Sequence, residues 1–283
     1  MVVLDNKVLT VKINELGAEI KSIQKDGKEY MWGSNPEIWG GSAPIMFPIC
    51  GGLKDDKYIL NGKEYNLVKH GFARFKTFTV EKQTETGATL LMKSDEETKK
   101  SFPFDFEFRA VFTLKNNSLK VEYKVKNLTD ETMYFSVGSH EAYSTPEGIE
   151  DYDVIFPKKE TLNATILNGN LLEKNSLPII KDSNIIPLYD KYFLIDALVF
   201  TDLKSRSATL RNRKTGKQVK VDFPNCDYFL LWHKHGAGYI CLEPWGGIQD
   251  YETSDYDITH KPGITALKAK GEHKNAHTIT IEK

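Results

Sequence analysis

The sequence predicts an all-β fold, a large antiparallel β-sandwich, from three observations. Apolar and polar residues alternate over many short segments, glycine, proline and asparagine separate these segments at roughly regular intervals, and convincing helical periodicity is nearly absent. At 283 residues the chain is long for one domain, yet all-β sandwiches often reach this length undivided. No sharp linker or low-complexity stretch interrupts it, so we expect a single domain over residues 1–283.

In the first half of the chain, strands are predicted where branched apolar residues alternate with polar ones. These segments are residues 8–13, 18–23, 75–81, 89–93, 104–114 and 119–126. Segments 75–81 and 89–93 are expected to pair across the turn that contains Gly87. The dipeptide Asn116-Asn117 favours a hairpin between the last two segments, because asparagine tolerates a positive φ better than most residues. Residues 95–101 are expected to form one short helical turn.

In the second half the same pattern predicts strands at residues 153–156, 197–200, 208–210, 218–223, 228–232 and 239–243. Residues 264–269 and 278–282 are expected to form a closing pair that returns the C-terminus to the sheet. Two segments depart from the strand pattern: residues 31–53 are rich in glycine, proline and tryptophan, and residues 160–189 are polar. Long irregular segments on a rigid sheet are where binding surfaces are usually built.

The composition excludes several classes of function. Lys and Arg number 38 against 39 Asp and Glu, without a sustained run of one sign, so the basic stripe of a nucleic-acid binder is missing. Asp5 and Lys7 interrupt the apolar stretch that a signal peptide needs, and no apolar segment approaches the ~20 residues of a membrane span. We therefore expect a cytoplasmic protein with a neutral or weakly charged small-molecule partner. The sequence does not indicate an oligomeric state.

The cysteines indicate neither disulfides nor a metal site. Cys50, Cys226 and Cys241 are an odd number without CxxC spacing, which argues against a disulfide framework and a cysteine-based zinc site and favours buried free thiols. Glycine-rich nucleotide-binding motifs and a GxSxG nucleophile elbow are also missing from the sequence. Cofactor-dependent chemistry therefore has no support in the sequence.

Two histidines and a glutamate are the main candidates for proton transfer. His70 precedes a glycine that leaves its imidazole unobstructed, and His140 follows a strand through a Gly-Ser turn. Glu243 closes an apolar strand before Pro244, so it should be partly desolvated with a raised pKa, as a general base requires. A backbone-bonded loop histidine, a capping histidine and a buried structural carboxylate are the respective alternatives.

Three further residues are candidates for holding a substrate. Arg74 brings a fixed charge able to bind hydroxyls or a phosphate. Trp245 offers a flat apolar face on which sugar C–H groups can stack. Asp196 lies in an apolar, strand-like run, where it either binds sugar hydroxyls or caps a local turn.

The remaining histidines are predicted to be structural or exposed. His233 and His235 lack a third metal ligand at a recognisable spacing, so a solvated turn is favoured over a metal site. His260, His273 and His277 lie in polar, turn-rich surroundings and are expected at the surface.

Four segments, in order along nearly the whole chain, resemble the aldose 1-epimerase (galactose mutarotase) family, and most of all its LacX-like branch. They are HGFAR at 70–74, SVGSHEAY at 136–143, DAL at 196–198 and CLEPWGG at 241–247. The resemblance implies a galactose mutarotase-like supersandwich with an open cleft and no metal or organic cofactor. It also implies that His140 is the general acid, Glu243 the general base, and His70 and Asp196 the residues that hold the sugar.

One position departs from the pattern of the branch. The segment FPICGGL at 47–53 has Gly52 where the branch often carries an arginine. A charged contact to the substrate is therefore missing or comes from elsewhere, for which Arg74 is a candidate. The departure leaves the identity of the sugar open but does not affect the acid and the base.

The sequence supports interconversion of the α and β anomers of a free aldohexose, with three alternatives. A hexose 6-phosphate is the first, ranked lower because Arg74 is the one arginine in a candidate site segment. A non-catalytic sugar-binding or sensing protein on the same fold is the second. The third is a glycosidase or lyase that uses Asp196 and Glu243 as its acid pair.

Overall fold

The computed structural model describes residues 1–282 and confirms the all-β prediction. Within these residues the strands, numbered along the chain, are β1 (Val2–Asp5), β2 (Thr10–Ile13), β3 (Ile20–Lys25), β4 (Lys28–Glu29), β5 (Ile45–Met46), β6 (Lys57–Leu60), β7 (Lys63–Asn66), β8 (Thr79–Gln83), β9 (Gly87–Lys93), β10 (Phe106–Lys115), β11 (Ser118–Asn127), β12 (Met133–Phe135), β13 (Gly138–Ser139), β14 (Glu141–Ser144), β15 (Tyr152–Asn168), β16 (Leu171–Pro187), β17 (Leu198–Phe200), β18 (Ser207–Asn212), β19 (Gln218–Asp222), β20 (Tyr228–Trp232), β21 (Tyr239–Trp245), β22 (Thr265–Leu267) and β23 (Glu272–Ile281).

Helices are few and short in the described residues. The α-helix is α1 (Glu96–Ser101), and 3-10 helices cover Lys54–Asp56, Ala73–Phe75, Ile149–Asp151, Asp190–Ile195 and Ile258–His260. The short helix predicted at 95–101 is confirmed. Asp95 caps it by accepting a 2.7 Å hydrogen bond from the Thr98 backbone N–H. None of these helices has the length and apolar character that a membrane-spanning helix needs.

Fifteen strands form one large sheet, which positions the strand that carries the site. Its order is β5-β13-β21-β20-β17-β15-β18-β19-β23-β11-β10-β9-β8, with β14 also paired to β21 and β16 to β15. A four-stranded sheet, β1-β2-β3-β4, and two separate pairs, β6-β7 and β12-β22, complete the strands. The ladders between these strands are antiparallel.

The core is a large apolar cluster to which both larger sheets contribute. Alternate residues of β10 are buried, including Phe106, Phe108 and Phe112, and their neighbours along the strand are more accessible. Leu4 of β1 and Val11 of β2 belong to the same apolar cluster as these phenylalanines. Period-two patterning therefore gives the strands a buried face, and both sheets contribute to one apolar cluster.

Most predicted strands are confirmed, with shifts of a few residues at their ends. The β10–β11 hairpin turns at Asn116, whose φ is +54°, as the Asn-Asn dipeptide predicts. The expected closing pair is wrong in its partners. β22 pairs with β12, whereas β23 lies between β11 and β19 in the large sheet.

The prediction that residues 160–189 are irregular is wrong. They form most of a long hairpin in which β15 and β16, each of 17 residues, pair with several register shifts. Most of β16 is exposed or half-buried. A strand without a buried face needs no apolar alternation, so the pattern that reveals other strands is missing here.

A buried ion pair fixes the segment that follows β21. Lys261 Nζ lies 2.9 Å from Asp250 Oδ1 and donates to the Ile248 carbonyl at 2.7 Å, and both charged side chains are at most 4% exposed. The other Asp250 oxygen accepts from the Lys54 backbone N–H at 3.1 Å. Removing one partner of such a pair leaves an uncompensated buried charge.

We therefore expect Lys261→Met to lower the free energy of unfolding by about 3–5 kcal/mol in urea denaturation. The same substitution at Lys214, which is 71% exposed in its ion pair with Asp151, should change it by less than about 1 kcal/mol. Equal effects of the two substitutions would contradict a structural role for the buried pair.

Candidate active site

A cavity of about 470 Å³ opens beside β21. Its lining comes from distant parts of the chain: Glu19, Trp39, Gly40, Gly41, Pro44, Lys69, His70, Arg74, Phe75, His140, Leu167, Asp196, Ala197, Leu230, Trp232, Glu243, Trp245 and Gln249. The irregular segment 31–53 contributes four of these residues, in line with its predicted place at a binding surface. All six residues predicted from the sequence to form the site line this one cavity.

His140 and Glu243 face each other because of strand register. The ladder between β21 and its neighbours β13 and β14 runs from Gly138 opposite Trp245 to Glu141 opposite Leu242 without a shift. His140 therefore lies directly opposite Glu243, and side chains at opposed positions point to the same face of a sheet. His140 Nε2 is 3.4 Å from Glu243 Oε2.

Burial governs the protonation of this pair. Glu243 is 1% exposed and Oε2 has no hydrogen-bond partner among the described residues. Loss of solvation raises the pKa of Glu243 well above its ordinary value and lowers the pKa of His140 to about 3. Because burial disfavours both ionised forms, the pair is favoured with a single proton, which these pKa shifts place on the carboxyl group. Transfer of that proton to the imidazole gives the ion-pair form.

Aromatic rings enclose the His140 imidazole. The ring of Trp39 lies 5.2 Å away and that of Trp232 lies 5.5 Å away, between centroids. Neither tryptophan was predicted as a site residue. Trp39 belongs to the irregular segment 31–53, whereas Trp232 ends β20 and carries no local signal of a role.

His70 is held by backbone geometry. Its φ is +67°, and Gly71 after it has a φ of +66° and approaches Phe47 so closely that an added Cβ would lie 2.3 Å from the Phe47 carbonyl oxygen. The Gly51 N–H donates to His70 Nδ1 at 3.1 Å, so the ring proton resides on Nε2. Burial lowers the pKa of His70, which leaves a neutral imidazole able to donate from Nε2.

Two cations without a carboxylate partner line the cavity. Arg74 donates from Nη2 to the Lys69 carbonyl at 3.0 Å, and its buried Nε has no hydrogen-bond partner among residues 1–282. Every other arginine of the chain lies within 4 Å of a carboxylate. Lys69 next to His70 was not predicted, although it directly precedes the HGFAR segment.

Gly52 is packed against the tip of the β15–β16 hairpin. A Cβ added there would lie 2.9 Å from Asn170 Cβ and 3.1 Å from its carbonyl oxygen. An arginine at this place would require the hairpin tip to move. In place of an arginine at position 52, the cations that line the cavity are Lys69 and Arg74.

Asp196 both caps a local turn and lies at the cavity, the two positions that its sequence context left open. It is the C-cap residue of the 3-10 helix Asp190–Ile195, and it also lines the cavity. Its φ of +84° and ψ of −147° lie close to a region that only glycine occupies readily. An aspartate therefore occupies a strained backbone position at the edge of the cavity.

Trp245 is 3% exposed, and its indole N–H donates to the Ser139 carbonyl at 3.1 Å. It lies in the cavity wall with its ring edge-on to His70, 5.5 Å between centroids. Trp39 and Trp232 are only half-buried, so they present more accessible aromatic surface than Trp245 does.

Two polar residues missed by the sequence analysis also contribute. Glu19 accepts hydrogen bonds from the backbone N–H groups of Ser42 and Ala43 at 2.6 and 3.0 Å, which fixes the loop next to Trp39. Gln249 is 3% exposed, and its buried Oε1 has no partner among the described residues. A buried amide oxygen without a partner at a cavity wall suits a ligand hydroxyl.

Two predictions for the remaining histidines are wrong. His233 is buried rather than solvated, with Nε2 2.7 Å from Asp190 and Nδ1 2.6 Å from the Tyr239 carbonyl oxygen. His277 is buried rather than exposed, with Nε2 2.7 Å from Glu141. In each case a partner distant in sequence compensates the burial.

Comparison with known proteins relates this chain to one family. The sequence model of the aldose 1-epimerase family matches residues 1–280. Protein LacX of Lactococcus lactis subsp. lactis, in its plasmid and chromosomal forms, is 35% identical over 98% of both chains.

Solved structures of similar fold support the same family. The galactose mutarotase related enzyme from Lactobacillus acidophilus is 37% identical, with a TM-score of 0.94 over 100% of this chain and 97% of its own. A galactose mutarotase-like protein from Lactobacillus casei ATCC 334 is 26% identical, with a TM-score of 0.94 over 100% of both chains. The predicted galactose mutarotase-like sandwich is thereby confirmed, and the chain belongs to the aldose 1-epimerase family.

Proposed function

We propose that this protein interconverts the α and β anomers of a free aldohexose by acid–base opening and reclosure of the ring. The opposition of His140 and Glu243 at the cavity, 3.4 Å apart, is the observation that carries the proposal. The hydroxyl oxygen and the ring oxygen of a pyranose are both bonded to C1. A proton donor and acceptor at this spacing suit two oxygens on one carbon.

In the proposed mechanism Glu243 takes the proton of the C1 hydroxyl while His140 gives a proton to the ring oxygen. The C1–ring oxygen bond breaks and an open-chain aldehyde forms. Rotation about C1–C2 presents the other face of the carbonyl group, and reclosure reverses both proton transfers. The His140–Glu243 pair holds one proton before and after each step. The reaction starts with that proton on His140, and ring opening leaves it on Glu243, which is the distribution that burial favours.

The other cavity residues have roles in holding the sugar. His70 donates from Nε2 to a sugar hydroxyl, and Asp196 accepts from one. Trp39 and Trp232 provide apolar surface for the C–H faces of the ring, with Trp245 beneath. These contacts orient C1 toward the His140–Glu243 pair, because proton transfer requires near-contact geometry.

We expect His140→Asn and Glu243→Gln each to lower the enzyme-dependent rate of mutarotation by about 10²–10⁴-fold, the usual contribution of general acid–base catalysis. Polarimetry of freshly dissolved α-D-glucose and α-D-galactose measures this rate. His260→Asn is a matched control, because His260 is 65% exposed and pairs with Asp255 at the surface.

Polarimetry, together with assays of sugar binding and of reducing-sugar release, separates the alternatives. Wild-type rates in either variant would refute the acid–base assignment. Sugar binding without acceleration of anomer exchange by the wild type would identify a non-catalytic binding protein. Release of reducing sugar from an oligosaccharide would instead indicate a glycosidase.

Asp196→Gly is expected to have opposite effects on stability and on sugar binding. Glycine relieves the backbone strain, so the free energy of unfolding should rise by about 1 kcal/mol after the entropic cost of glycine. Loss of the carboxylate should raise KM about tenfold. Asp196→Asn is the control, since it removes the charge with little gain in stability. An unchanged KM in Asp196→Gly would exclude Asp196 from sugar binding.

A second candidate substrate, a hexose 6-phosphate, is favoured by one observation. Lys69 and Arg74 line the cavity without a carboxylate partner in the described residues, and an anionic group on the substrate would compensate them. The same acid–base mechanism applies to such a substrate. We rank it second because one arginine gives less phosphate recognition than a cluster would.

Comparison of glucose with glucose 6-phosphate decides between the two. If the phosphate ester is the substrate, Arg74→Ala should lower kcat/KM for it by about 10–100-fold, the worth of a charge-assisted hydrogen bond, and should change kcat/KM for glucose little. Arg206→Ala is the control, because Arg206 pairs with the exposed Asp227 at the surface. A higher wild-type kcat/KM for glucose would leave the free sugar as the substrate.

A further inference from the structure

A free thiol lies beside the acid–base pair. Cys241 precedes Glu243 by two residues on β21, so both side chains point to the same face of the sheet. One ligand atom each from His140, Cys241 and Glu243 lies within 4.8 Å of the other two. The three residues thus bring a sulfur, a nitrogen and an oxygen close together, with His140 and Glu243 in the cavity wall and Cys241 fully buried beside them.

The spacing of the His140 and Glu243 atoms suits tetrahedral coordination, whereas Cys241 Sγ, within 4.8 Å of them, must move up to about 1 Å closer when the metal binds. Ligands about 2.1 Å from a tetrahedral zinc ion stand about 3.4 Å from one another. His140 Nε2 and Glu243 Oε2 are already 3.4 Å apart. Glu243 Oε2 is buried without a hydrogen-bond partner in the described residues, so coordination would satisfy an atom that the folded chain leaves unpaired.

We propose that His140, Cys241 and Glu243 form a Zn²⁺ site, and that the ion competes there with the sugar. Three protein ligands leave a fourth position, which a water molecule can fill. Zinc in this place is an inhibitor, because it occupies the two groups that transfer protons. The inhibition rests on the proposed function, whereas the binding itself does not.

The donor set also defines which metals bind. A thiolate and an imidazole select zinc, cadmium and cobalt over magnesium and calcium, which prefer oxygen ligands. Binding displaces two protons to the solvent, the thiol proton of Cys241 and the one held by the His140–Glu243 pair, and no electron is transferred. Lys69 and Arg74 on the same cavity oppose a divalent cation, so we expect micromolar affinity rather than that of a structural zinc site.

Co²⁺ is a suitable probe, since a sulfur ligand gives a near-ultraviolet charge-transfer band that nitrogen and oxygen ligands do not. We expect this band when Co²⁺ is titrated into the wild-type protein, and its loss in Cys241→Ser. Zn²⁺ titration calorimetry should show binding weakened at least about tenfold by the same variant. Circular dichroism melting of Cys241→Ser verifies that it folds.

Cys226→Ser is the matched control, because Cys226 is also a buried free thiol but lies outside the His140–Cys241–Glu243 group. It should retain both the Co²⁺ band and the Zn²⁺ affinity. Any Co²⁺ held by histidines paired with surface acids, such as His235 with Asp190 and His260 with Asp255, would give no sulfur band. A missing band in the wild type, or one that persists in Cys241→Ser, would overturn the site.

A kinetic measurement then tests the competition. Micromolar Zn²⁺ should raise the apparent KM for the sugar with kcat unchanged, and Mg²⁺ at the same concentration should have no effect. If Zn²⁺ instead lowers kcat at saturating sugar, the metal and the sugar do not compete for one site, and that part of the proposal is refuted. A protein that gives the Co²⁺ band but no mutarotation would refute the proposed function and leave the metal site intact.

Discussion

The direct opposition of His140 and Glu243 across one antiparallel ladder is the constraint on which the site depends. Every residue of β21 is buried. Ile240 and Leu242 join the core, and Glu243 and Trp245 line the cavity. A glutamate on such a strand loses its solvation and cannot turn away from the cavity. The ladder thus fixes the distance between the two groups, and the burial of the strand fixes their protonation.

Removal from water connects the proposed chemistry with the proposed inhibition. Both ionised forms of the pair are costly in the cavity, so its two members together are favoured with one proton. Anomer exchange requires a group that holds a proton beside a group that lacks one. A divalent ion would replace that proton with a larger charge. The thiol of Cys241 adds a sulfur ligand, which makes the replacement of the proton by a soft metal favourable.

Much of the fold could be predicted from the sequence, because a strand with one buried face records its burial as alternation. β10 and β11 alternate over ten residues each and were predicted nearly to their ends. The exposed β16 carries no such record and was missed. The burial of His277 was missed for another reason: its partner Glu141 lies 136 residues away, and local sequence holds no information about pairing at that range.

The site was predictable in its motif residues and not in the rest of its wall. His70, His140, Asp196 and Glu243 lie in segments with a recognisable pattern, whereas Trp232 and the other unpredicted wall residues reach the cavity only through the tertiary fold. Asp196 shows what the structure adds to a sequence pattern. As a cap alone, the position would be better filled by glycine, which adopts its backbone angles without strain. An aspartate held in that conformation at the cavity edge supports a use for its carboxylate, because the cap needs only the backbone N–H, which donates to the Phe193 carbonyl.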